Sequence, residues 1–556
     1  MPNGRAERGT MNSAMGPDAK HLREAPKFAP AHVAQMLETG IWSRDTVAHW
    51  LSHFAQVTPH KPAIVSPAGT LSYSEAHQHA LRLARALCAL GLRKGDVVAI
   101  QLPNVAEFVI AYFATSIMGA VLCPMHMPYR ATEMAPLLHH ARARLVICGP
   151  PIGDWVPADT FQALQQKIPS IEHIVSVGPA SVGTLAFQQL IERGPFDDVR
   201  EPGVAADPAI LCFTSGTSAA PKAVVHNSYT MLANNRLCAP IYDLRADDVV
   251  LSGAPFTHAF GICIINFALS VGATQLLLPA FRPDLFVQTI VDGRATNLFT
   301  APAHVAACLK AGLLEAAQFP SLRVATISGS TCPPQLARAL QQKMSAGKVM
   351  QMWGMTELFM GLNTRLDDSE RVRCETIGRA TPEMQIRIVD ERGAPVVDGE
   401  SGELQIRGPS VFAGYYNSAE ANAGAFTDGW FRTGDLASRD AEGNIRITGR
   451  LKDLINRGGI KINPFDVEVL IDSHPDVMQC AIVPMPDEIM GEKACAFIVP
   501  RPSASVTLDE VRGWLRHHGI AKMKWPERVE LISELPMTPT RKVIKGLLKP
   551  RGAQRT

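Results

Sequence analysis

One stretch of the sequence combines hydroxyl side chains, a glycine and a lysine at close spacing. It runs over residues 213–223 and contains Thr214, Ser215, Gly216, Thr217, Ser218 and Lys222. The apolar run at 209–212 before it predicts a buried strand, and residues 224–234 after it favour a helix. Hydroxyls, exposed backbone N–H groups and a lysine charge are what polyphosphate oxygens require. The stretch therefore predicts a phosphate-binding loop, with a serine- and threonine-rich surface turn as the alternative.

The stretch departs from the P-loop pattern G-x-x-x-x-G-K-[ST]. Pro221 stands where a glycine should precede Lys222, and Ala223 stands where a serine or threonine should follow it. Other parts of the chain must therefore decide what this loop binds.

Length, composition and charge restrict the class of protein. A chain of 556 residues with 46% hydrophobic and 19% charged residues is typical of a soluble protein with several folding units. A net charge of +2 gives no reason to expect nucleic acid or an anionic membrane as a partner. The 11 cysteines lack metal-ligand spacing, which favours reduced thiols in the cytoplasm. The apolar run 262–278 contains polar residues and indicates buried helix and strand, not a membrane span.

The order of strand and helix patterns predicts an α/β fold. From about residue 45, strands alternate with helices, which favours largely parallel sheets of βαβ type covered by helices. After about residue 380, short strands between Gly, Pro and Asp turns predict a small β-barrel. The remainder predicts a small α+β C-terminal domain. We expect a disordered extension at 1–30, an N-terminal domain at 31–449 and a mobile C-terminal domain at 450–556.

Several further stretches, in order from the loop to residue 545, resemble the adenylate-forming enzymes. This family includes acyl-CoA synthetases, luciferases and peptide-synthetase adenylation domains. The stretches lie at 255–261, 328–330, 351–357, 430–436, 449–464 and 535–545. The turn at 329–334 and the segment 538–545 are also similar to cyclohexanecarboxylate–CoA ligases and related medium-chain enzymes.

The resemblance implies an ATP site assembled from most of these stretches. The loop would surround the β- and γ-phosphates. Asp435 would accept hydrogen bonds from the ribose hydroxyls, and Thr356 and Glu357 would hold Mg²⁺, which prefers oxygen ligands. The remaining implied nucleotide contacts are Gly329 and Ser330 beside adenine, Trp353 stacked on it in place of the usual Tyr, Gly354, and Arg450.

The acid pocket is implied to lie around His258, Phe260, Gly261 and Met355. Peptide-synthetase adenylation domains bind the substrate amine with an Asp in the 255–261 segment, and this sequence has none there. An uncharged acid is therefore favoured over an amino acid. The neutral, apolar pocket segments favour a hydrophobic monocarboxylic acid that is medium-chain, alicyclic or aromatic.

The C-terminal motifs are implied to serve both halves of the reaction. Lys542 takes the catalytic-lysine position, after Arg541 where many members have Gly. Lys452 takes the hinge position, and Gly458 and Gly459 match the loop beside the pantetheine tunnel, where the lack of a Cβ admits the chain.

The implied function is an ATP-dependent acid–CoA ligase whose partners are a small carboxylic acid and CoA. The acid would attack the α-phosphate of ATP, and the CoA thiol would then attack the acyl-adenylate. Two alternatives stay open: an enzyme that loads a carrier protein, and a nucleotide-binding pseudo-enzyme, because Ala219 and Ala223 replace common glycines. A homodimer is also left open.

Overall fold

The computed structural model describes residues 25–179, 181–192, 197–214, 222–538 and 543–550. Most of the predicted N-terminal extension lies outside these residues. So do five of the predicted site residues: Ser215, Gly216, Thr217, Ser218 and Lys542.

Helices and strands alternate through the first two thirds of the chain, as predicted. The α-helices are α1 (Pro30–Glu38), α2 (Val47–Val57), α3 (Tyr73–Ala89), α4 (Ala106–Met118), α5 (Ala131–Ala141), α6 (Pro157–Gln165), α7 (Phe187–Glu192), α8 (Ser228–Cys238), α9 (Ala259–Leu269), α10 (Pro283–Asp292), α11 (Pro302–Lys310), α12 (Leu313–Ala316), α13 (Pro334–Gln341), α14 (Glu370–Glu375), α15 (Ala419–Ala425), α16 (Pro464–Asp472) and α17 (Leu508–His517). The strands are β1 (Pro62–Ser66), β2 (Gly69–Ser72), β3 (Val97–Gln101), β4 (Val121–Pro124), β5 (Ala143–Cys148), β6 (His173–Ser176), β7 (Leu185–Ala186), β8 (Pro208–Thr214), β9 (Lys222–Asn227), β10 (Val249–Ser252), β11 (Thr274–Leu276), β12 (Asn297–Thr300), β13 (Val324–Ile327), β14 (Lys348–Met355), β15 (Phe359–Asn363), β16 (Arg379–Ala380), β17 (Gln385–Val389), β18 (Gly402–Arg407), β19 (Tyr415–Tyr416), β20 (Phe426–Thr427), β21 (Trp430–Arg439), β22 (Ile445–Arg450), β23 (Ile455–Arg457), β24 (Ile460–Ile462), β25 (Val477–Asp487), β26 (Gly491–Pro500) and β27 (Arg528–Leu531).

Two large mixed sheets form the N-terminal part. In the described residues the first sheet has the order β16-β15-β14-β13-β12-β10-β11-β1-β2, and the second has the order β19-β9-β8-β4-β3-β5-β6-β7. Strands β14, β13, β12, β10, β11 and β1 pair in parallel in the first sheet, and β8, β4, β3, β5, β6 and β7 in the second. In the sequence, the parallel strands are continuous apolar runs, because helices cover both faces of each sheet. Every residue of β3, for example, is buried.

Each large sheet carries antiparallel strands beside its parallel ones, and in the first sheet they lie at both edges. In the second sheet β8 returns as β9, with Thr214 paired to Lys222. In the first sheet β14 returns as β15, with Met355 paired to Phe359. The predicted phosphate motif therefore lies at the β8–β9 hairpin, and the predicted metal motif lies at the β14–β15 hairpin.

The predicted helix over 224–234 is wrong at its beginning. The chain is extended up to Asn227, where Val224 and Val225 pair with Cys212 and Leu211 of β8. The helix begins only at Ser228, because the side chain of Asn227 accepts the N–H of Thr230 and caps it. Lys222 and Ala223 are consequently strand residues and not part of the loop.

Two smaller sheets complete the fold. In the described part of the chain, β17, β18, β20, β21 and β22 form a half-barrel sheet, and β23 to β27 form a C-terminal sheet that packs on α16 and α17. The predicted fold class is thus confirmed, with the small barrel present as a half-barrel. The predicted domain boundary falls at the end of β22, and the division into domains stays a prediction.

Two further sequence expectations concern the cysteines and the membrane. All 11 cysteines carry free thiols. Within the described ranges, none of the helices has the length and apolar character needed to cross a bilayer. The apolar run 262–278 forms α9 and β11, as expected.

Candidate active site

Glu357 lies in the tight turn between β14 and β15. Its side chain is only 5% exposed, and its Oε1 accepts a hydrogen bond from the Tyr415 hydroxyl at 2.8 Å. Burial raises the pKa of Glu357 above its ordinary value, while the Tyr415 bond and the charge of Lys222 act in the opposite direction. The turn thus presents a buried carboxylate that a cation would stabilise.

The shape of this turn depends on Gly354. A Cβ at this position would lie 1.9 Å from the carbonyl oxygen of Phe359. The pairing of β14 with β15 also shifts register between Trp353 and Gly354. Gly354 therefore permits a backbone contact that closes the turn, and its contact with the nucleotide stays a prediction.

Lys222 and Tyr415 connect the phosphate loop to this turn. The Lys222 ammonium lies 5.0 Å from the centroid of the Tyr415 ring, a cation–π arrangement. Tyr415 belongs to β19, which pairs with β9. One tyrosine thus contacts both the lysine that ends the loop and the carboxylate of Glu357, and sequence reasoning missed it.

His226 makes a second connection between the two motifs. Its Nε2 lies 2.7 Å from the carbonyl oxygen of Thr356, and its Nδ1 lies 2.9 Å from the Thr230 hydroxyl. Because a carbonyl only accepts, Nε2 carries the proton and Nδ1 accepts from Thr230. Burial lowers the pKa of His226 to about 4, so the ring is neutral near pH 7. The ring also packs on Phe359, with centroids 4.4 Å apart.

Trp353, Asp435 and Arg450 form a third group. The indole Nε1 of Trp353 donates to Oδ2 of Asp435 at 2.9 Å. The Arg450 guanidinium contacts Oδ1 of the same carboxylate at 3.0 Å. Asp435 is buried, whereas Arg450 is largely exposed. The structure therefore brings together three residues that the sequence placed in three separate motifs.

The predicted acid-pocket residues lie around the beginning of α9. His258 caps this helix, because its Nδ1 accepts the N–H of Phe260 at 3.2 Å. The His258 ring stacks on His126, with centroids 5.9 Å apart. Phe260 packs edge-on against Phe299, Gly261 is buried in the helix, and Met355 is half-buried at the end of β14. Their contact with substrate stays a prediction.

The other predicted residues lie in turns. Gly329, with φ +94°, and the exposed Ser330 form the turn after β13, next to the end of β14. Gly458 and Gly459 have φ of +59° and +86° and make the two-residue hairpin turn between β23 and β24. Lys452 lies in the short 3₁₀ turn that joins the half-barrel sheet to the C-terminal sheet.

Comparisons with known proteins identify the family. The family model for the AMP-binding enzyme matches residues 51–416. The family model for the AMP-binding enzyme C-terminal domain matches residues 466–542. The chain belongs to the AMP-binding enzyme family. It is an adenylate-forming ligase, and ligases of this family use ATP. This assignment confirms the resemblance seen in the sequence motifs.

Its curated relatives include ligases with different acyl acceptors. The chain is 31% identical to the medium-chain fatty-acid–CoA ligase of Escherichia coli, covering 96% of both chains. It is 31% identical to the salicyl-AMP ligase / salicyl-S-ArCP synthetase of Mycobacterium tuberculosis, covering 93% of both. It is also 30% identical to the indoleacetate–CoA ligase of Aromatoleum aromaticum, covering 92% of this chain and 99% of the relative.

Solved structures show the same adenylate-forming fold. The anthranilate CoA ligase AuaEII in complex with anthranoyl-AMP superposes with a TM-score of 0.81 at 25% identity, over 90% of this chain and 96% of that one. The apo structure of Mycobacterium smegmatis MbtA superposes with a TM-score of 0.73 at 29% identity, over 95% and 98% of the two chains.

We predict that His226→Phe lowers kcat/KM for ATP about 10- to 100-fold. The Thr356 carbonyl loses its hydrogen-bond donor, and the β14–β15 turn loses this bond to β9. His226→Gln, which keeps an N–H donor, should restore most of the activity. Steady-state kinetics at varied ATP measure both effects.

His304→Phe is the matched control for this substitution. His304 is also buried, hydrogen bonded to a threonine four residues away and stacked on a phenylalanine. We expect this variant to lower the melting temperature while kcat/KM for ATP stays within about twofold of wild type. Equal losses of activity in both phenylalanine variants would contradict a specific role of His226.

We predict that acid destabilises the protein partly through His126 and His226. Burial lowers the pKa of both side chains to about 4. An unfolded histidine binds a proton near pH 6.5, so stability falls as pH drops from 6.5 towards 4, by about 2 kcal/mol per residue at pH 5. Urea unfolding at pH 7.5 and pH 5 should show a smaller acid-dependent loss for His226→Gln than for wild type. An unchanged loss would contradict the prediction.

Proposed function

We propose that this adenylate-forming ligase joins a hydrophobic monocarboxylic acid to coenzyme A, with conversion of ATP to AMP and pyrophosphate. The observation that carries the proposal is the neutral, apolar beginning of α9. Residues 255–262 contain no acidic side chain, and the His258 ring stacks on that of the buried His126. Such a lining favours an uncharged acyl chain or ring. Medium-chain, alicyclic and aromatic acids all fit this description.

The first chemical step is attack by the acid's carboxylate oxygen on the α-phosphorus of ATP. The bond to the pyrophosphate oxygen breaks, and an acyl-adenylate remains. Negative charge concentrates in this step, so the protein contributes positioning and electrostatic stabilisation. Lys222 supplies a cation on the phosphate side, and Asp435 accepts from the ribose. Lys542, which lies outside the described residues, is proposed to contact the α-phosphate and the carboxylate.

Glu357 and Thr356 would hold the magnesium ion of MgATP. Their fit rests on the buried carboxylate of Glu357, whose charge a cation would stabilise. In the part of the chain that the structure describes, no three His, Cys, Asp or Glu side chains are grouped as metal ligands. The other ligands would therefore be phosphate and water oxygens, which is usual for Mg²⁺. When bound, the ion neutralises phosphate charge.

The second step is attack by the CoA sulfur on the acyl carbon of the adenylate. The thiol gives up its proton, and the bond to the AMP oxygen breaks. We propose that the C-terminal part turns about Lys452 between the steps, so that Gly458 and Gly459 admit the pantetheine arm. The position of Lys452 between two sheets supports this role.

A carrier-protein acceptor is the second candidate function. It is favoured by the similarity to a salicyl-S-ArCP synthetase over 93% of both chains. An acid panel separates the two candidates: C2 to C16 fatty acids, benzoate and cyclohexanecarboxylate, each scored for AMP formation with CoA or with a pantetheinylated carrier. We expect the highest rates with CoA and a hydrophobic acid. Turnover only with the carrier would support the second candidate, and no turnover with either acceptor would contradict both.

We predict that Lys542→Ala reduces adenylation, measured as pyrophosphate release, by about 100- to 1,000-fold, which corresponds to about 3–4 kcal/mol. Thioester formation from supplied acyl-adenylate should stay near the wild-type rate. Lys549→Ala, a change at an exposed lysine of the same segment, is the control and should alter neither half-reaction. Equal loss of both half-reactions in Lys542→Ala would exclude a role specific to the first step.

A further inference from the structure

The indole of Trp353 is bound to the carboxylate of Asp435 across two sheets. Trp353 lies in β14 of the first large sheet, and Asp435 lies in β21 of the half-barrel sheet. The indole N–H donates to Oδ2 at 2.9 Å, while Arg450 contacts Oδ1 at 3.0 Å. The two donors approach different oxygens of one buried carboxylate. They therefore fix its rotation about the Cβ–Cγ bond.

The position of the indole is itself fixed by packing. A Cβ at residue 361 would lie 2.8 Å from a ring carbon of Trp353, so Gly361 makes the space that the six-membered ring occupies. Trp353 also packs against the two apolar cores beside the half-barrel, which contain Leu358 and Leu362. Trp353 is thus a rigid donor whose N–H direction is set by its neighbours.

Two donors leave the Asp435 carboxylate with unused acceptor capacity. A carboxylate offers about four lone-pair positions; among the described residues the Trp353 N–H takes one on Oδ2, and Arg450 forms an ion pair with Oδ1. Each oxygen therefore keeps acceptor capacity toward the described residues, and the two adjacent hydroxyls of a ribose require two acceptors. Tyrosine or phenylalanine at position 353 could stack on a base, but neither has an N–H at this place.

We infer that Trp353 is a positioning residue for the ribose, and that through Asp435 it sets the preference for ATP over deoxy-ATP. The inference rests on the proposed function, because it takes Asp435 as the acceptor for the ribose hydroxyls. In Trp353→Phe the carboxylate loses one of the two donors that orient it. The variant should then recognise the 2′- and 3′-hydroxyls poorly while still binding the base and the phosphates.

The test compares kcat/KM for ATP, 2′-deoxy-ATP and 3′-deoxy-ATP in the CoA-dependent formation of AMP. Hydrogen bonds to a charged acceptor contribute about 1.5–3 kcal/mol, so wild type should prefer ATP about 10- to 100-fold. Trp353→Phe should reduce this preference at least about fivefold, chiefly by lowering kcat/KM for ATP. A variant that loses the same factor with all three nucleotides would overturn the inference and indicate a purely structural role.

Two further variants make the comparison specific. Trp430→Phe changes a tryptophan of the strand that carries Asp435, where the guanidinium groups of Arg387 and Arg407 lie 4.8 and 4.4 Å from the ring centroid. It should leave the preference for ATP at the wild-type value. Asp435→Asn should lower the preference on its own, and adding Trp353→Phe to it should lower it little further. Independent, additive losses would overturn the inference.

A third variant tests the inference if Trp353→Phe does not fold. Site-specific replacement of Trp353 by 3-benzothienylalanine keeps the bicyclic ring and substitutes sulfur for the N–H. The same loss of preference is expected, and an unchanged preference would overturn the inference. Failure of wild type to form AMP from ATP with any acid and acceptor would count against the proposed function. A wild type that is active, with unchanged preference in the variant, would count against Trp353 alone.

Discussion

The hydrogen bond from the neutral ring of His226 to the carbonyl of Thr356 directly joins a strand of one large sheet to the edge hairpin of the other, and the bond from Tyr415 to Glu357 supports it. The strand that carries His226 comes from one hairpin, and Thr356 lies in the turn of the other. A ligand that spans both hairpins needs them at a constant separation, and loops alone do not provide it. A buried neutral imidazole suits this place, because it can accept from Thr230 and donate to Thr356 without carrying a charge into the core.

The electrostatics of the site follow from this arrangement. Glu357 is held in the interior by its backbone and by Tyr415, so its carboxylate has lost most of its water. Lys222 lies beyond the Tyr415 ring and does not pair directly with the acid. The protein thus keeps opposite charges close without letting them neutralise each other in an ion pair. Such a site is prepared for a ligand that brings both phosphates and a cation.

Much of the fold could be predicted from the sequence because the parallel strands are short apolar runs with clear ends. The apolar run 209–212 predicts a strand and lies within β8, and the run 262–278 predicts buried helix and strand and forms α9 and β11. The segment 224–227 was not predicted as a strand, since its valines are compatible with either a helix or a strand and only the pairing with β8 decides between them. The local pattern of residues does not indicate which residues far away in the chain will contact a segment.

The same limit explains which parts of the site were missed. The motif residues could be proposed from the sequence because their types match a chemistry, as with Glu357 and Asp435, and their roles stay predictions. His226 and Tyr415 act by contacting backbone and side chains more than 50 residues away, and no spacing within the sequence indicates such contacts. For Trp353 the sequence indicates an aromatic surface. Only the structure shows that its indole N–H donates to Asp435.

The fit of the Trp353 ring over Gly361 constrains how this site can change during evolution. A Cβ at position 361 would lie 2.8 Å from the indole and 2.7 Å from the side chain of Leu358, and a smaller aromatic at position 353 would relieve the first of these contacts. We therefore expect position 353 to change before 361, and a side chain gained afterwards at 361 would oppose the return of tryptophan. Relatives in which both position 353 and position 361 have changed should keep the two new residues together. The two positions are thus expected to covary, with glycine at 361 wherever tryptophan occupies 353.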